Sequence, residues 1–220
     1  MRAPLVAVFA ICLSAFPLAA QSPEAVVHRA VVTYAHIKTE RASFTQVIQS
    51  PVLDTTAHAR GEIQTRPPGR IDIRFTQPDG DRIVSDGRVV WLYLPSTNPG
   101  QVIKTNAGAS AAGIPDVTAQ FLDSATTRYS ISDGGVAVIA GHATHAAVLV
   151  PKRPMPFSKA TVWVDDRGGL VRQVKTVEAS GVVRTVTLFS ITTNGPLDAD
   201  AFTFKVPKGV HVYDQTHTGI

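Results

Sequence analysis

Apolar positions along this chain follow two periods. Val27, Ala30, Val31, Tyr34 and Ile37 recur every three or four residues, the stripe of a helix that reaches about Lys38. Ser22-Pro23-Glu24 supplies its start. The serine is an N-cap, the proline suits the first turn, and the carboxylate meets the positive helix end. Beyond it, short apolar runs are broken by Gly, Pro, Asp or Asn, which predicts strands at 42–49, 57–65, 70–75, 82–85, 89–94 and 101–104. Strands resume at 128–132, 136–140, 145–150, 160–165, 170–179 and 182–192. Between the two groups, Gly108, Ala109, Ala111, Ala112 and Gly113 make a small-residue loop, and Ile114-Pro115-Asp116 opens a short helix through Leu122. Ile114, Val117, Phe121 and Leu122 share its apolar spacing. Asp166-Arg167-Gly168-Gly169 and Ser180-Gly181 read as hairpin turns, and a last piece, 198–213, is apolar around Pro207-Lys208-Gly209.

About eleven strands with short antiparallel connections, plus two helices, predict a mainly β, α+β domain. Its sheet is strongly curved, or an incomplete barrel wrapped round the helices. Val89, Trp91 and Tyr93 share one face of their strand and Val90, Leu92 and Leu94 the other, so both faces are apolar. Val182, Val186 and Leu188 against Val183, Phe189 and Ile191 behave alike. Two readings fit: an ordinary core on both sides, or a concave side that encloses an apolar ligand. No repeat, linker or shift of composition divides the chain, which predicts one domain over 21–220.

Residues 1–20 stand apart. Arg2 is followed by an uncharged apolar run from Ala3 to Phe16, and Leu18-Ala19-Ala20 ends in small residues ahead of Gln21. That is the pattern of a secretory signal peptide cut after Ala20, too short for a membrane span. Cys12, the only cysteine, falls inside it. The expected mature chain, about 200 residues, is therefore exported without disulfides, soluble outside the cytoplasm and long enough to bury one core. Losing Arg2 leaves 20 of the 21 basic side chains against 17 acidic ones. The basic residues are scattered singly, without the runs that mark nucleic-acid binding.

Catalytic chemistry finds little support. His142 and His145 lie three apart on a strand and point to opposite faces, so they do not converge on one metal ion. Asp165-Asp166 with Gly168-Gly169 lacks the alternating ligands of a calcium loop. No Gly-x-Ser-x-Gly elbow occurs, and the glycines near 108–113 are not followed by the Lys-Ser or Lys-Thr of a phosphate loop. The expectation is a protein with no metal, no cofactor and no enzymatic activity.

The most informative stretch is Arg66 to Pro95, three apolar strands separated by Pro-Pro-Gly, Gln-Pro-Asp-Gly and Ser-Asp-Gly, with an arginine beside a proline at a strand end. Arg66 has two readings. It is a surface residue beside a turn, or a donor whose planar fork bonds backbone carbonyls across an opening.

Phe44-Thr45-Gln46, Gly61, Arg66-Pro67, Gln77-Pro78-Asp79, Ile83-Val84-Ser85-Asp86-Gly87 leading into Trp91-Leu92-Tyr93, and the closing Asp198 to Val210 occur in an order and spacing that carry a likeness. Over nearly the whole mature chain the sequence resembles the periplasmic outer-membrane lipoprotein carriers, the LolA-type chaperones. The resemblance implies an unclosed antiparallel β-barrel with helices as a lid over a hydrophobic cavity. It implies a carrier that takes lipoprotein acyl chains from an inner-membrane ABC transporter to an outer-membrane acceptor. Arg66 matches the arginine that holds the lid. Trp91 and Tyr93 match the apolar wall, with Phe44, Ile71, Ile73 and Phe75 beside them, and Ile114, Val117, Phe121 and Leu122 fall on the lid helix. Ile71 and Ile73 stand where the family commonly places aromatics. A monomer is expected. Alternatives are a carrier of another lipid or glycolipid, and a module of the same scaffold that senses lipid or lipoprotein.

Overall fold

The computed structural model describes residues 22–107 and 118–217, with Thr118 and Ala119 described in their backbone alone. The expected signal peptide and the positions Ile114 and Val117 lie outside the described residues. Helix α1 spans Pro23–Tyr34, and the Ser22 hydroxyl accepts from the Ala25 N–H at 3.2 Å, as an N-cap does. It buries Val26, Val27, Ala30 and Tyr34. Val31 is exposed although its spacing predicts burial, because Val26 fills the inner side and turns Val31, one residue past Ala30, toward solvent.

The strands are β1 (Glu40–Ser50), β2 (Thr55–Arg66), β3 (Arg70–Gln77), β4 (Asp79–Asp86), β5 (Val89–Tyr93), β6 (Gln101–Asn106), β7 (Tyr129–Ile139), β8 (His142–Pro151), β9 (Phe157–Asp165), β10 (Val171–Glu178), β11 (Val183–Thr193) and β12 (His211–Asp214). They form one 12-stranded sheet in the order β12-β6-β5-β4-β3-β2-β1-β11-β10-β9-β8-β7. All neighbours are antiparallel except β12, which lies parallel on β6. Among the described residues no pairing joins β7 to β12, so the barrel is unclosed. The two strands expected at 128–132 and 136–140 are one, β7, whose register shifts between Asp133 and Val136. Gly134-Gly135 is thus a bulge within one strand. A π-helical turn, Thr118–Leu122, ends the segment where the second helix was expected, and a short helix α2, Ala125–Arg128, follows it.

Register decides which side chains share a face. Ala42 opposes Ile63, Ile63 opposes Ile73, Ile73 opposes Ile83, and Ile83 opposes Leu92. In the other direction Phe44 opposes Leu188, Gln46 opposes Val186, and Val174, Val162 and Ala147 continue the row. All lie on one side of the sheet, the inner face. It carries two apolar clusters. In the first, Val26, Val27, Ala30 and Tyr34 of α1 and Phe121 and Leu122 of the π-helical turn pack on Leu149, Val162 and their neighbours. The second comprises Ala42, Phe44, Ile63, Ile73, Ile83 and Leu188.

The outer face is crossed by a strap of chain between β11 and β12. Gln64 Nε2 donates to Asp198 Oδ2 at 2.6 Å, the Asp198 N–H donates back to Gln64 Oε1 at 3.0 Å, and Arg41 pairs with the same carboxylate. Arg74 Nη2 reaches Asp200 Oδ1 at 2.9 Å. Beneath it the fully buried Asp72 carboxylate accepts from Arg74 Nε at 2.9 Å and from Arg82 Nε and Nη2 at 2.8 and 3.0 Å. A buried carboxylate is tolerated here because two guanidinium groups satisfy it.

Candidate functional site

The second cluster is the part of the inner face on which apolar side chains remain reachable. Its buried centre is ringed by Ile71, Phe75, Val90, Leu94, Val186 and Ile191, all only partly buried. No residue of α1 belongs to it, whereas the first cluster is roofed by that helix. The centre is built around a glycine. Phe44 and Phe75 both oppose Gly61 in register, and their rings meet edge to face at 5.4 Å. A Cβ on Gly61 would stand 2.0 Å from the Arg74 carbonyl oxygen, so only glycine permits this approach of β2 to β3.

The helical roof is pinned to the sheet at the β9–β10 turn. Arg29 Nη2 of α1 pairs with Asp166 Oδ1 at 3.3 Å, Thr33 Oγ1 donates to the Gly168 carbonyl at 3.0 Å, and His145 Nδ1 lies 2.6 Å from the same Asp166 oxygen. Gly169, at φ +67, lets the turn come this close: a Cβ there would meet Thr33 Oγ1 at 2.3 Å. Asp165 shapes the turn. Burial raises its pKa, but the Gly168 and Arg167 N–H groups and the Arg172 guanidinium more than offset that and hold the carboxyl below its ordinary value. His142 lies nearest Asp165, at 3.8 Å, and His145 nearest Asp166, so the two imidazoles face different carboxylates. Among the described residues no three His, Cys, Asp or Glu side chains come together as a metal site. No described helix is long and apolar enough to cross a membrane.

Of the residues singled out in the sequence, Phe44, Ile71, Ile73 and Phe75 come together in the second cluster. Phe121 and Leu122 belong to the first, where the Phe121 ring sits 5.6 Å from Phe157 beneath α1. Trp91 and Tyr93 lie on the outer face, one residue out of phase with Leu92; Trp91 stacks on Phe204 of the strap at 5.5 Å and Tyr93 meets the same ring at a tilt, 5.9 Å away. They do not line the second cluster. Arg66 does not touch a helix in any contact described: its guanidinium lies 5.4 Å from the Phe202 ring, again on the strap. Sequence reasoning did not single out Ile63 and Ile83 as site residues. The register of β2 and β4 reveals them, because each stands on the same face as Ile73, and Leu94, just past β5, packs against the same cluster.

The second cluster therefore presents an apolar, partly open surface on the inner face. The family model of the outer membrane lipoprotein carrier protein LolA matches residues 35–205. The chain is 30% identical over 175 residues to an outer-membrane lipoprotein carrier protein of Klebsiella pneumoniae, covering 79% of this chain and 80% of that one. It is 27% identical over 170 residues to that of Neisseria meningitidis, covering 77% and 78%. Among solved structures, an uncharacterized conserved protein from Thermus thermophilus superposes with a TM-score of 0.56 at 12% identity, over 89% of this chain and 100% of the other, a likeness of fold.

Proposed function

The chain belongs to the LolA family of outer membrane lipoprotein carriers, and from that premise we propose that it ferries lipoproteins through the periplasm. It would receive them from an inner-membrane ABC transporter and deliver them to an outer-membrane acceptor, without chemistry of its own. The observation that carries this reading is the second cluster: an inner-face apolar surface centred on Phe44 and Phe75, with partly exposed residues around it and no residue of α1 over it.

The energetics require such a surface. A lipid with two or three long chains exposes tens of methylenes, each contributing about 0.8 kcal/mol on burial, a total on the order of 30 kcal/mol. Unassisted passage through water is negligible at that cost. A carrier must cover much of the surface and still release it. Partly exposed walls suit this better than a sealed core, because they leave the cargo less than fully buried.

Arg66 is proposed to act at hand-over rather than in cargo binding. It is exposed at the end of β2, and its cation–π contact with Phe202 is of a kind that contributes about 0.5–1 kcal/mol at exposed sites. A contact that weak is readily exchanged for one on a docking partner. The test of the carrier reading is direct. Purified protein, mixed with a fluorescent triacylated lipopeptide, should form a soluble complex of one ligand per chain, and absence of uptake would refute it.

A further inference from the structure

Where the two apolar clusters of the inner face meet, the wall is polar. Gln46 stands on β1 two residues from Phe44, so both side chains leave the same face about 7 Å apart. It opposes Val186, which in turn opposes Val174 of the roofed cluster. Gln46 is only 6% exposed, yet its Oε1 has no hydrogen-bond partner among the described residues. Buried acceptors left unpaired are rare and costly, so this one, on a strand face shared with Phe44, calls for an explanation.

Arg184 lies beside it. It opposes Ile48 on β1 and Thr176 on β10, which places it on the inner face diagonally next to Gln46. Its side chain is 19% exposed, and its ion pair is a loose one, Nη2 to Glu178 Oε1 at 3.8 Å. A guanidinium keeps its charge when buried and carries five N–H donors, more than this one contact uses. Gln46 therefore offers an acceptor and Arg184 offers donors, at the edge of the surface that Phe44 and Phe75 form.

We propose that Gln46 and Arg184 form a polar subsite for the head of an acylated cargo, Gln46 Oε1 accepting from an acyl-amide N–H and Arg184 donating to the ester carbonyls, with the chains lying over Phe44 and Phe75. The inference rests on the carrier reading and adds to it the chemistry that recognises the cargo. An acyl amide supplies the N–H that Oε1 lacks. The ester linkages of a diacyl phospholipid supply carbonyl acceptors only. The subsite thus selects N-acylated lipopeptide over the far more abundant membrane lipid.

Two fluorescent probes test it: an N-palmitoyl, S-diacylglyceryl-cysteine lipopeptide, and the same molecule with the acyl-amide N–H replaced by an ester oxygen. The wild-type protein should bind the amide probe about tenfold more tightly, the effect of one hydrogen bond to a buried partner. Gln46→Leu should bind both probes alike, at the affinity of the ester probe, and unfold at or above the wild-type temperature because it removes an unpaired acceptor. Arg184→Met, as a second variant, should weaken both probes severalfold while leaving uptake of the carbonyl-free dye diphenylhexatriene unchanged. Equal wild-type affinity for the two probes, an amide preference that survives Gln46→Leu, or an equal loss of dye uptake in Arg184→Met would each overturn the subsite and leave the carrier reading standing. Failure of the wild-type protein to take up either probe or the dye would instead overturn the carrier reading itself.

Discussion

Phe44 and Phe75 meet edge to face at 5.4 Å with an interplanar angle of 88°, and Gly61 lies between them in register. The pair joins β1 to β3 across the intervening strand and forms the centre of the surface assigned to the cargo. Gly61→Ala would push a methyl group into the Arg74 carbonyl, which stands 2.0 Å from the new Cβ. Overpacking of this kind costs roughly 1–3 kcal/mol. Urea denaturation should show an unfolding free energy lowered by that amount, through a lower midpoint at an unchanged slope.

Phe75 and Trp91 should separate cargo binding from stability. Phe75 is a partly buried member of the inner cluster, and Trp91 stacks on Phe204 on the outer face. Phe75→Ala is expected to weaken acylated-lipopeptide binding at least tenfold with a small loss of stability. Trp91→Ala should do the reverse, loosening the strap and lowering the melting temperature while lipopeptide affinity stays near wild type. Fluorescence titration beside thermal unfolding reads both, and equal binding losses would contradict the assignment of faces.

Acid stability should depend on Asp165. Its carboxyl is held below its ordinary value by the Gly168 and Arg167 N–H groups and by Arg172, against the opposing effect of burial. A depressed native pKa contributes stability that is in place above the unfolded-state value, about 3.9. That contribution is lost as pH falls through the native one. Asp165→Asn should therefore be less stable than wild type at pH 7, and the gap should narrow in denaturation measured near pH 3. A gap that widens on acidification would contradict this.

Arg66→Leu removes one exposed cation–π contact and should shift the melting temperature by only a few degrees. Lipopeptide binding is expected to remain near wild type. Transfer of bound lipoprotein from the carrier to outer-membrane vesicles should slow severalfold, and an unchanged transfer rate would remove Arg66 from the mechanism.

Much of this architecture is legible in the sequence, for identifiable reasons. The strands from β1 to β6 are bounded largely by Gly, Pro, Asp or Asn, so their spans fall within a few residues of expectation. Ser22-Pro23 marks the start of α1 with an N-cap that the structure shows bonded. Periodicity gives no inside and outside for β5, because Val-Val-Trp-Leu-Tyr is apolar on both faces. The strap decides the matter: Phe204, distant in sequence, covers Trp91 and Tyr93 and leaves Leu92 and Leu94 to the inner face. Gly134-Gly135 separates two expected strands in the sequence and is a bulge within one, since Ala147 and His145 on β8 pair on either side of it. The Arg29–Asp166–His145 fastening joins three elements remote in sequence, and no local pattern announces it.

The central claim is carriage of lipoprotein through water, and a release assay tests it most directly. Inner-membrane vesicles that carry a lipoprotein-releasing ABC transporter and a labelled, acylated lipoprotein are energised with ATP, incubated with the purified protein and then sedimented. The account predicts that label appears in the supernatant as a complex of one lipoprotein per carrier, and that Phe75→Ala reduces the yield. Label that stays with the sedimented vesicles to the same extent as without the protein would contradict it.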